Sequence, residues 1–203
     1  GGLLVKTELD PRFTMGHFLL SMVLLWNATV LMHRAGIGDG AFFSGGWADD
    51  HDRGEDDKHF MRRLTRGVMA AGAIVLVIGT IVTGSGPHSG SDEAEVAERL
   101  PFLVRDVTRI HSITAIALLL GVAFVGFEAH RRNLTNVRRS ALTVLGLVVA
   151  QGVVGYWQYF AGVPVLLVAV HITLASITWI HIVRLDLEAT LINAPADVRL
   201  VAP

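Results

Sequence analysis

The chain alternates between long, continuously apolar runs and short blocks of charge. Five runs, at about 13–33, 66–84, 108–129, 140–160 and 164–184, each match the roughly 20 helical residues needed to cross a hydrocarbon core. They do not alternate apolar with polar positions, so they predict helices and not barrel strands. The expected fold is an all-α, polytopic transmembrane bundle of five spans, the last four forming a four-helix bundle. Its expected divisions are a first helix within 1–34, an acidic loop over 35–65, the bundle over 66–185 and a tail over 186–203.

The charge blocks orient this bundle. The connection after the first span carries Arg34, Arg53, Lys58, Arg62, Arg63 and Arg66, and the one after the third carries Arg131, Arg132, Arg138 and Arg139. Lys and Arg gather in cytoplasmic loops, which predicts that both connections face the cytoplasm. The connection over 85–107 holds only Arg99 and Arg105 beside several acids, and the turn Ala161-Gly-Val-Pro164 holds no charge. Those two are expected outside, with the N-terminus outside and the C-terminus cytoplasmic. The acidic run Asp49–Asp57 reads as a solvated loop in preference to a docking patch or a weak cation site.

Composition agrees and narrows the chemistry. With 52 % apolar and 17 % charged residues and a mean hydropathy of +0.51, the chain has the composition of an integral membrane protein. A net charge of −1 without a basic stripe gives no footprint for nucleic acid. The absence of cysteine excludes disulfides, zinc–thiolate sites, iron–sulfur clusters and covalently attached haem. Histidine, present nine times, is then the main remaining ligand for a transition metal.

Two histidines stand out, His111 in the third span and His171 in the fifth, both close to the outer ends of their helices. A buried imidazole without a partner costs on the order of 2–7 kcal/mol. Two at matching depth can share one partner, a haem iron bound from both sides between facing helices. Ala115 and Ala175, four residues further on and on the same helical faces, leave room for a flat macrocycle. The alternative is that each histidine bonds a backbone carbonyl or a Thr or Gln of a neighbouring helix.

The other candidates are weaker. His17 has the same placement in the first span but no partner in this chain. His181 falls on a different face from His171 and reads as structural, His33 and His130 close helices beside arginines, and His51 and His59 belong to the polar loop. His88, in Gly84-Ser-Gly-Pro-His-Ser-Gly90, either folds over a cofactor edge or is a plain turn histidine. Arg105 and Arg109 are candidate partners for haem propionates, or ordinary interfacial anchors. Gln151 and Gln158, with Gly152 and Gly155, read as helix-packing residues. A faint repeat lays Gly1 on Gly155 and His17 on His171. It predicts that the chain supplies the last helix of one repeat and then a full second repeat of four, with three helices preceding them in the whole protein.

Thr83-Gly-Ser-Gly-Pro-His-Ser-Gly90, His111 at a helix start, Gln151-Gly-Val-Val-Gly-Tyr-Trp-Gln-Tyr-Phe160 and Val170-His-Ile-Thr173 together resemble the C-terminal half of the haem A synthase family. His17-Phe-Leu-Leu-Ser-Met22 resembles the last helix of that family's N-terminal half. The resemblance implies two pseudo-symmetric bundles with paired histidines. It implies that His111 and His171 ligate a b-type haem, and that His17 is a ligand on the side of the substrate, haem O. The implied reaction is oxidation of a ring methyl of haem O to the formyl group of haem A. The implied partners are the bilayer of a prokaryotic cell membrane, an unidentified electron donor and haem O synthase. The rivals are a b-type electron-transfer cytochrome and a haem-free transporter or scaffold with structural histidines.

Overall fold

A computed structural model describes residues 10–35, 55–87 and 99–190, together with Gly2 and Lys6. Among these the chain is entirely helical: α1 (Pro11–Arg34), α2 (Glu55–Ser85), α3 (Val104–Arg131), α4 (Thr135–Phe160) and α5 (Val165–Thr190). All five are long and apolar enough to cross a membrane.

Local chemistry places their ends. The Asp10 carboxylate accepts from the Arg12 amide at 2.8 Å and Pro11 opens α1, a combination that satisfies one first-turn donor and removes another. Between α4 and α5 the backbone turns left-handed at Gly162 (φ 78°) and Val163 (φ 60°). The Val163 amide closes this turn on the Gln158 carbonyl at 2.7 Å, and Pro164 then stops any continuation. Within the spans, hydroxyls bond back to their own helix, as Thr29 does to Leu25 and Thr178 to Leu174, both at 2.7 Å. Such bonds keep polar groups satisfied at membrane depth.

Helices α2 to α5 close a ring. α2 packs on α3, α3 on α4, α4 on α5 and α5 back on α2, while the backbones of the two diagonal pairs stay apart. Neighbours run antiparallel: Thr65 near the start of α2 donates to Asp186 near the end of α5 at 2.8 Å, and Gly79 near the end of α2 lies against His111 near the start of α3. The bundle therefore has a histidine end and an arginine end. α1 lies outside the ring against α2 and α5, with Met22 buried. It is tied there by the Trp179 indole, which donates to the Met22 carbonyl at 2.9 Å in a buried setting. Trp179→Phe keeps most of the apolar contact and removes this bond, so it should cost about 1–2 kcal/mol, read as a lower unfolding midpoint of the detergent-solubilised chain.

The tightly packed core sits in the arginine half, where Met61, Val122, Val125, Leu134, Val137, Val144, Val183 and Leu185 are essentially inaccessible. By contrast, no residue of α3 before Leu118, of α4 after Val148 or of α5 before Thr178 is fully buried. Two expected boundaries need correction. Residues 55–65, assigned to an acidic loop, form the first turns of α2, and residues 186–190, assigned to the tail, form the last turn of α5. Hydropathy misses both because their polar side chains are satisfied by packing and pairing: Met61 and Leu185 are buried, Asp57 pairs with Arg132, and Asp186 accepts from Thr65. His59 accordingly lies on α2 and not in a loop. Of the acidic run, residues 49–54 lie outside the described residues.

Candidate functional site

His111 is two turns into α3 and His171 two turns into α5. These helices form one diagonal of the ring and start at the same end, so both imidazoles come to the bundle axis at the same level. Their ring centroids are 6.4 Å apart with the planes at 69°. The helices of the other diagonal offer glycine to each ring. A Cβ on Gly79 of α2 would stand 3.1 Å from Cε1 of His111, and one on Gly155 of α4 would stand 3.3 Å from Cε1 of His171. Each contact is tighter than a real side chain normally tolerates, so each imidazole rests on bare backbone where any larger residue would push it aside.

The two rings are held differently. Nδ1 of His111 is buried without a hydrogen-bond partner, although the Val75 carbonyl of α2 interacts with the ring. His171 is engaged by Gln151 of α4. With its amide turned to satisfy every polar atom, Gln151 donates to His171 Nδ1 at 3.0 Å and to the His171 carbonyl at 3.2 Å, and accepts from the Ala175 amide at 2.7 Å. Ala115 and Ala175, expected beside the histidines, are small and half-buried.

Other expected site residues are not brought to this pair. His17 stands exposed on α1, outside the ring, with its carbonyl accepting from Ser21 at 2.9 Å. Arg105 and Arg109, four residues apart on one face of α3, are both exposed, and Arg105 lies 3.8 Å from Asp106. Residues two apart on a helix point to different sides, so Arg109 does not share the direction of His111. His88 lies outside the described residues.

Sequence reasoning missed Gly79, and it read Gln151 and Gly155 as packing residues. Their signal was present in part: Gln151 and Gly155 are four apart, hence on one face of α4, but nothing in the pattern said which helix that face meets. Among the described residues no cluster of three or more His, Cys, Asp or Glu side chains could hold a metal ion. Comparison with family models, curated proteins and solved structures gives no match, and the site is read from its own geometry.

Proposed function

We propose that this chain holds one b-type haem between His111 and His171 and forms the part of a haem A synthase that carries this cofactor. The reaction is oxidation of a ring methyl of haem O to the formyl group of haem A. The observation that supports the haem best is the separation of the two imidazoles. An imidazole nitrogen lies about 1.15 Å from its ring centroid when ring bonds are about 1.35 Å. Adding two metal–nitrogen bonds of about 2.0 Å gives centroids about 6.3 Å apart for rings on opposite sides of one metal. His111 and His171 stand at 6.4 Å.

The number of ligands agrees. A bare ion at this place would have two protein donors, whereas zinc sites use three or four. Haem iron, with four positions taken by the porphyrin, asks for two. The neighbours agree as well: Gly79, Gly155, Ala115 and Ala175 beside the pair are small. Held by His111 and His171, a haem would supply one-electron transfer. Within that assignment His111 and His171 hold the iron, Gly79 and Gly155 admit the imidazoles, and His17 is the candidate residue toward haem O. The synthase reading beyond haem binding rests on the motif resemblance.

The test is an absorption spectrum of the detergent-purified chain, oxidised and dithionite-reduced, followed in a fresh sample by incubation with haem O, dioxygen and an electron donor and analysis of the extracted porphyrins. The expected result is one low-spin b-type haem per chain; formation of haem A in addition would support the synthase reading. Haem bound without conversion would leave the chain as a b-type electron-transfer cytochrome, which would use the same pair. A well-folded chain with no affinity for haem would overturn the ligand assignment.

A further inference from the structure

Gln151 does more than fill space between α4 and α5. Its amide reaches three groups of α5, all within one turn: Nδ1 and the carbonyl of His171, and the amide of Ala175. The last two are the acceptor and donor of one i to i+4 step of that helix. Gln151 therefore grips both the backbone that carries His171 and the ring itself. Gly155, one turn further along α4, lies under Cε1 of the same ring. The ring thus meets α4 at two points, a hydrogen bond on Nδ1 and a van der Waals stop on Cε1. Together these fix the rotation of the imidazole and leave Nε2 outside both contacts with α4.

We propose that Gln151 is the positioning residue for His171, setting the orientation of its imidazole relative to that of His111. The relevance of this orientation to haem rests on the function proposed above, but the contact itself does not. An amide suits the position because it carries both a donor and an acceptor. In the haem-free chain its NH₂ meets an unprotonated Nδ1; a histidine ligating through Nε2 must carry its proton on Nδ1, so on ligation the amide turns over to accept from Nδ1–H and gives up its bonds to the His171 carbonyl and the Ala175 amide. His111 has no equivalent hydrogen bond at Nδ1. The two rings are therefore held differently: His171 by the Gln151 side chain, and His111 by the backbone of α2, at the Val75 carbonyl and at Gly79.

Three variants test this, Gln151→Leu, Gln151→Met and Gln151→Glu, with Gln158→Leu as a control on the same helix. In the haem-free, ¹⁵N-histidine-labelled chain, Nδ1 of His171 should give the shift of a hydrogen-bonded nitrogen. The signal should move in the Leu and Met variants and stay in the control. In the haem-loaded chain, the low-spin ferric electron paramagnetic resonance spectrum depends on the angle between the two imidazole planes. That spectrum should change for Leu and Met, with haem affinity falling about 10- to 100-fold, and should be retained by Glu, which keeps a hydrogen-bonding group at the same reach.

A wild-type Nδ1 signal typical of a nitrogen without a hydrogen bond overturns the proposal before any variant is made. So does an unchanged signal in a folded Leu or Met variant. If the wild type takes up no haem while the Nδ1 signal still moves in Gln151→Leu, the haem assignment falls and the positioning role stands.

Discussion

Replacing either His111 or His171 by alanine should abolish the sharp low-spin spectrum of the haem-loaded chain. Each ring occupies one side of the proposed iron position, 6.4 Å apart, and among the described residues no third histidine stands beside them to take over. His17 is on a helix outside the ring, and His181 is ten residues beyond His171, near the arginine end of α5. The expected outcome is a haem content at least about 10-fold lower, or a high-spin spectrum with one ligand remaining. Added imidazole separates ligation from a merely structural role. It should enter the space left by His111→Ala or His171→Ala and restore a low-spin spectrum, because the small residues beside each ring leave that space open. Loss of the spectrum without imidazole rescue, in a chain that unfolds at a lower temperature, would argue that the histidines serve packing.

How much of this was legible in the sequence depends on the kind of interaction involved. The five helices were, because continuous apolar runs of that length have few alternatives in a bilayer. The shared level of His111 and His171 was also legible, since two helices separated by one antiparallel neighbour start at the same end. Their meeting across the axis was not. It depends on the ring order α2-α3-α4-α5, which puts α3 and α5 on a diagonal, and a hydropathy pattern does not encode which helices are neighbours. Gly79 and Gly155 were invisible as site residues for a related reason, because a glycine in an apolar run carries no mark of the side chain it will meet. The first turns of α2 were misread as loop. Asp57 looks like solvated charge until Arg132 at the end of α3 is in place.

That partner end is where the largest loss of stability is expected. Arg132, at the end of α3, pairs with Asp57 of α2 and with Glu128 at 3.2 Å, and its guanidinium lies 4.3 Å from the centre of the Phe60 ring. Glu128 is 6 % exposed, so removing Arg132 leaves one oxygen of a nearly buried carboxylate unpaired, with Arg131 alone on the other, and releases the start of α2 together. Breaking a fully buried pair costs roughly 3–5 kcal/mol. Because the Arg132 side chain remains 29 % exposed, Arg132→Met should cost less, about 2–4 kcal/mol. Arg131 makes the informative contrast. It also reaches Glu128 at 3.2 Å, but its side chain is 63 % exposed, and Arg131→Met should cost less than about 1 kcal/mol. Unfolding midpoints of the two variants in detergent, followed by near-ultraviolet circular dichroism, give the comparison. Equal losses would mean that the Asp57 and Phe60 contacts add nothing. Arg132 is also separated from His111 by 21 positions along α3, about 30 Å of helix. Effects at that distance are normally additive, so Arg132→Met should leave the haem spectrum and the His171 Nδ1 signal unchanged at temperatures where the chain is folded. A spectrum that changes with Arg132 would show instead that the ion pairs at one end set the helix spacing on which the histidine pair depends at the other.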